Sequence, residues 1–189
     1  KFVVENGTEY LVGRETVKNL IINSRGDAEI QHITSYVVDK EGVLVESGYR
    51  EIANLGFDSR HNVMSQRVEE YLDSTKADLV EIKEIKNFDF DLRGNALSQS
   101  IITYTASGTL LDKKVIETED YGVRSTSARS TITTYDKDDN FISCKVIENK
   151  TFDVRGRPLT QEITSYLDES MQSFSERQLI VNSGYTRYD

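Results

Sequence analysis

The chain has 189 residues, a net charge of −9, and 37% hydrophobic against 29% charged residues. That charge excludes a duplex nucleic acid as partner, because phosphate binding needs a basic footprint. The lone Cys144 excludes an internal disulfide or a cysteine-built metal site, and no run of about 18 apolar residues offers a membrane-spanning helix.

The first segment, "FVVENGTEYLV" from Phe2, alternates like a strand and carries Asn6-Gly7, the favoured dipeptide of a tight hairpin. No signal peptide opens the chain, and it reads as a segment cut from a longer polypeptide. From there the sequence repeats. Units begin at Ile22, Phe57, Phe90, Tyr121 and Phe152, spaced 35, 33, 31 and 31 residues apart. Residues 1–21 form a partial unit ahead of them, and Tyr185 opens a sixth, so 1–189 reads as one repeat array. Arginine stands three residues after each start: Arg25, Arg60, Arg93, Arg124 and Arg155. Tyrosine stands fourteen after: Tyr36, Tyr71, Tyr104, Tyr135 and Tyr166. Nine after come Gln31, Gln66, Gln99, Ser130 and Gln161, and three before the next start come Asn19, Asn54, Asn87, Thr118, Asn149 and Asn182.

Each unit predicts two strands and two turns. In the third, "ALSQSIITYT" alternates, "ASGT" turns, "LLDKKVIETED" is a second strand, and "YGVRSTS" turns again. Helical periodicity is not sustained anywhere. The expected fold is all-β: an elongated antiparallel meander of about twelve strands, in an open single-layer or spiral sheet. The modest apolar content suits a narrow buried stripe, since ordering each residue costs about 1–2 kcal/mol that burial must offset. Alternation puts Gln99, Ile101 and Thr103 on one face, which is expected to be the buried one, with its carboxamides bonded to one another or to backbone. The opposite face, rich in Ser, Thr, Glu and Lys, is expected to be wet. The arginines are expected to bond across the turns, with Asp58, Asp91 and Asp153 as candidates, and to stand in a single row about 9–10 Å apart if each unit adds two strands.

"FDLRGNAL" from Phe90, "FDVRGRPL" from Phe152 and "YDKDDNFI" from Tyr135 share an aromatic-Asp, a Gly or Asn, and a following strand. They resemble the Tyr-Asp repeats of the rearrangement-hotspot (RHS) family. The resemblance implies long antiparallel β-ribbons in large bacterial surface or secreted proteins, where they spiral into shells around toxin payloads. It implies a structural role for this chain as spacer, adhesin stalk or shell wall, located at the cell surface or outside the cell, with neighbouring repeats of the parent protein as its partners.

The alternative is a carbohydrate-binding module using exposed tyrosines and the arginine stripe, with a glycan or protein ligand. Nothing points to catalysis or to a cofactor. His32 and His61 fall at unrelated positions in different units, and Cys144 occupies a column that holds Ile82 and Lys113 elsewhere. "DKDDN", Asp136 to Asn140, is oxygen-rich but lacks the Gly and distal Glu of a calcium loop, so it is expected to be a solvated turn.

Overall fold

The structure is a computed structural model that describes residues 2–5, 8–11, 13–121 and 126–182. All regular elements among them are strands. β1 (Phe2–Glu5) and β2 (Thr8–Leu11) pair as a separate hairpin. The other eleven are β3 (Gly13–Ile22), β4 (Ala28–Val38), β5 (Leu44–Phe57), β6 (Val63–Tyr71), β7 (Leu79–Phe90), β8 (Ala96–Thr105), β9 (Leu110–Tyr121), β10 (Ser127–Tyr135), β11 (Phe141–Phe152), β12 (Pro158–Tyr166) and β13 (Phe174–Val181). They form one antiparallel sheet in strict sequence order, open at β3 and β13. The expected meander of about twelve strands is thus present, with thirteen strands among the described residues, two of which lie outside the main sheet.

Local chemistry makes the hairpins. Most turns span five residues, and the first residue's amide donates to the carbonyl of the fifth, as Asp58 does to Asn62 (2.9 Å) and Asp91 to Asn95 (2.9 Å). The first side chain folds over the turn: Asp91 Oδ1 accepts the amides of Arg93 (2.8 Å) and Asn95 (2.9 Å), and its Oδ2 accepts the Asn95 carboxamide (2.8 Å). An aspartate mimicking a backbone turn in this way is a standard use of that residue. The fourth residue takes φ > 0, which glycine adopts without penalty: Gly94 (+85°) and Gly156 (+79°) at one end of the strands, Gly42 (+81°) and Gly108 (+83°) at the other. His61 (+70°) and Asp139 (+60°) hold the same place in their turns without being glycine.

Pairing is staggered in one direction. Asn54 lies opposite Gln66, and Gln66 opposite Ile85, although the residue corresponding to Asn54 is Asn87. The same two-residue offset recurs from Asn87 through Gln99 to Ile116 and from Asn149 through Gln161 to Ile180. Corresponding positions therefore run obliquely across the sheet, and with 3.4 Å per residue and 4.8 Å per strand they are about 12 Å apart. A single row is kept, but its step is longer than the ~9–10 Å expected for the arginines. Bulges absorb the slack at many strand ends, at Ser35/Tyr36, Glu70/Tyr71, Thr103/Tyr104 and Thr134/Tyr135 among others.

The expectation of one buried and one wet face is also corrected. Strands pack substantially only against their sequence neighbours, so among the described residues no second layer covers either side. The isoleucines beside the glutamines are half-buried at best. The apolar residues below 10% exposure are Tyr49, Val68, Ile82, Cys144 and Val146 among the described residues. Of these, only Val68 lies on the glutamine face, where Asn54, Asn87 and Thr103 are buried beside it; the other four lie on the face expected to be wet.

Candidate functional site

Three side-chain systems fill the sheet, and each runs from strand to strand. The first joins amides across three strands. Gln31, Gln66, Gln99 and Gln161 each donate Nε2–H to Oδ1 of the asparagine opposite, at 2.7, 2.7, 2.6 and 2.9 Å from Asn19, Asn54, Asn87 and Asn149. The asparagines pass the chain on through Nδ2–H to a carbonyl of the preceding strand: Asn54 to Ala28 (2.6 Å), Asn87 to Val63 (2.8 Å), Asn149 to Ser127 (2.7 Å) and Asn182 to Pro158 (3.0 Å). Where Thr118 and Ser130 replace the amide pair, their hydroxyls meet at 3.3 Å, and the Tyr121 hydroxyl serves the Ala96 carbonyl instead (2.9 Å).

The second system is the tyrosine column. Tyr71 lies opposite Tyr49, Tyr104 opposite Ile82, and Tyr166 opposite Cys144, the three partners being 6%, 9% and 1% exposed. Where the partner is a cation, the ring takes it on its face: Arg14 sits 5.0 Å from the Tyr36 centroid and Lys113 5.7 Å from that of Tyr135. Each tyrosine is a lid on the preceding strand, and all five are themselves half-buried. The Tyr71 hydroxyl donates to Glu69 (2.7 Å) and that of Tyr135 to Glu169 (2.5 Å). These carboxylates, with burial adding, push both phenols up to about 12.

The third system runs along the turns. The Arg25 guanidinium donates to the Asp58 carbonyl in the next turn (3.0 Å), and that of Arg60 to the Asp91 carbonyl (2.9 Å). Arg93 and Arg155 enter their turns through their amides, onto Asp91 and Asp153. Arg124 lies outside the described residues. A Cβ on Gly94 would come within 2.3 Å of Asn62 Oδ1, so adjacent turns are in close contact there.

The histidines are both engaged. His32 meets the Tyr49 hydroxyl through Nδ1 and Glu51 through Nε2 at 2.7 Å, and Lys76 closes on the same carboxylate at 2.5 Å. His61 Nδ1 lies 2.5 Å from Asp27 of the preceding turn. In the acidic turn, Asp136 accepts the amides of Asp138 and Asn140 as well as the Asn140 carboxamide, while Lys113 and Lys137 neutralise Asp139 and Asp138. Among the described residues no three His, Cys, Asp or Glu side chains cluster to hold a metal.

A shallow hollow of about 570 Å³ lies on the amide face between Gln66, Phe90, Gln99 and Tyr121. Gln66 and Gln99 each give one Nε2–H donor to Asn54 and Asn87. Sequence reasoning missed the oblique pairing of each tyrosine with the strand before it, whose only sequence signal was the fixed five-residue step from glutamine to tyrosine. Comparison of the chain with protein-family models, with curated proteins and with solved structures finds no match.

Proposed function

We propose that this chain is a non-enzymatic structural segment, a spacer, stalk or shell wall, of a larger bacterial surface or secreted protein, built from two-strand repeats of the RHS kind. One observation carries the reading: the polar residues held in register are spent on the chain itself. Arg25 and Arg60 donate to neighbouring turns, the glutamines donate to the asparagines, the asparagines donate to backbone carbonyls, and the aspartates accept from the amides of their own turns. A glycan-binding surface needs exposed aromatic faces and free guanidinium groups, whereas here the tyrosine column is half-buried and covers the preceding strand. Arrays stabilised by contacts between neighbouring units tolerate an added unit.

The test is to insert a second copy of residues 90–120 after Asp120. The expected product has an unchanged per-residue circular dichroism spectrum, melts no lower than the parent and is longer by small-angle scattering. Misfolding of the insert overturns the scaffold reading. Saturable, salt-sensitive binding to acidic glycans that is lost on Arg25→Ala and Arg60→Ala replaces it with a glycan-binding one.

A further inference from the structure

Among the described residues β13 pairs with β12 alone, and its outer edge carries two half-completed versions of patterns that the interior strands complete. The first is the amide relay. Asn182 makes the inward half, donating to the Pro158 carbonyl at 3.0 Å. In Asn54, Asn87 and Asn149 the same bond is accompanied by a glutamine from the following strand, which donates to Oδ1. The second is the tyrosine lid. Arg177 of β13 holds the position of Arg14, Tyr49, Ile82, Lys113 and Cys144, each of which faces a tyrosine of the following strand. Two of those five are cations, so Arg177, ion-paired with Glu162 at 2.7 Å and with 61% of its side chain exposed, matches a position where a ring lies over a cation. Phe174, Leu179 and Val181 are 58–69% exposed on the same strand.

Polarity narrows the occupant. Eleven antiparallel strands are an odd number, so β3 and β13 run in the same direction. Stacking a second copy head to tail would set β3 parallel to β13, a pairing used nowhere in this sheet, and would bring asparagine strand against asparagine strand. Each asparagine strand in the interior has glutamine-bearing strands, or β10 with Ser130, on both sides. Within the chain the partners also change together: asparagine meets glutamine four times, and Thr118 meets Ser130. Asn182 therefore calls for glutamine rather than serine.

We propose that the outer edge of β13 is a docking site for one extended antiparallel strand bearing a glutamine, an aliphatic residue two positions on and a tyrosine five positions on. The glutamine lies opposite Asn182, the aliphatic residue opposite Ile180 and the tyrosine over Arg177. Addition of a strand to an open edge is a general mode of peptide recognition, with backbone bonds giving affinity and side-chain matches giving specificity. The proposal rests on the scaffold reading, because the partner is of the same kind as the interior strands.

The probe is a peptide of residues 94–106, which carries Gln99, Ile101 and Tyr104, added to the intact chain and followed by hydrogen exchange with mass spectrometry. The expected result is saturable protection of residues 174–182, with β3 unchanged. Gln99→Leu in the peptide, or Asn182→Ala in the protein, should weaken binding several-fold and up to about tenfold, the worth of one well-formed hydrogen bond. Tyr104→Ala should weaken it independently. No protection of β13, or equal protection by the Gln99→Leu and a shuffled peptide, overturns the proposal. So does β13 already protected without peptide in a concentration-dependent dimer, which would make a second copy the occupant. If the peptide fails while the residue 90–120 insertion folds, the docking idea falls and the scaffold reading stands.

Discussion

Gln99 offers the sharpest test of how the sheet is held together. Its Nε2–H group donates to Asn87 Oδ1 at 2.6 Å, and Asn87, 9% exposed, donates in turn to the Val63 carbonyl at 2.8 Å. Gln99→Leu removes the donor and leaves a buried carbonyl oxygen unpaired, which costs about 1–3 kcal/mol. The leucine regains part of this by burying apolar surface, but on a half-exposed face the gain is small, so a net loss of about 1–2 kcal/mol is expected. For a chain of this size each kcal/mol moves the melting temperature by about 2–4 °C.

Gln99→Glu is the harsher change at pH 7, because a carboxylate oxygen then faces the Asn87 oxygen where a donor stood. Protonation would restore an O–H donor, and the disfavoured carboxylate protonates in the folded chain before it does in the unfolded one, so the gap between variant and parent should narrow as the pH falls toward about 4.3, the ordinary glutamate value, and stay narrow below it. Paired melts followed by circular dichroism at pH 7 and pH 3.5 measure both effects. If Gln99→Glu melts with the parent at pH 7, the amide relay contributes nothing and the reasoning fails.

Four further outcomes are expected. Asp139→Gly should stabilise the chain by up to about 1 kcal/mol, since relief of about 1–2 kcal/mol of left-handed strain at φ +60° exceeds the roughly 0.4–1 kcal/mol of extra unfolded-state entropy that glycine brings, and a lowered denaturation midpoint would refute this. Stability should fall as the pH drops through and below the ordinary aspartate value of 3.8. The Asn95 carboxamide against the opposing effect of burial depresses Asp91, the Asn140 carboxamide and amide depress Asp136, and the Ser170 hydroxyl depresses Asp168, so the unfolded chain binds more protons there; a melt that does not change between pH 6 and pH 3 would contradict it. Tyr71 and Tyr135, pushed up to about 12, should stay protonated at pH 11 in an ultraviolet titration, and the stability they lend, present below pH 10, should disappear as the pH rises toward 12. Cys144, 1% exposed and with its thiol pushed up by burial, should resist a thiol reagent at pH 8 until the chain unfolds, and fast labelling of the native protein would contradict the Tyr166 lid.

Much of the local structure was legible in the sequence because its causes are local. An aspartate, two residues, a glycine and a strand former specify a five-residue turn by themselves, and the structure places Asp91 and Gly94 accordingly. Even the exceptions were visible, since His61 stands where the next turn has Gly94. The Gln–Asn match was within reach for the same reason: Gln99 and Asn87 are twelve residues apart across one short turn. The stagger was not. It depends on bulges such as those at Asn54/Gly56 and Thr103/Tyr104, which shift pairing by one residue without a distinctive residue type. The partner of each tyrosine follows from that stagger, so Tyr104 over Ile82 could not be read from alternation alone.

The error about the buried face has a deeper cause. Alternation identifies which residues share a side, and the usual next step assigns the more apolar side to a core made by a second layer. Among the described residues this sheet has no second layer, so cover has to come from the strand alongside. On one side the cover is an amide pair flanked by aliphatic residues such as Val68, and on the other it is a tyrosine laid across the preceding strand, as over Cys144. Burial in such a sheet is lateral, and cover comes from the strands alongside, whichever way a residue points. Val17, which has a strand on one side only, is 57% exposed, whereas Val68, between β5 and β7, is 7% exposed although both sit in the aliphatic columns of the same face. Stability must then accumulate strand by strand, and among the described residues β3 and β13 are the two strands whose amide and tyrosine patterns are half-built.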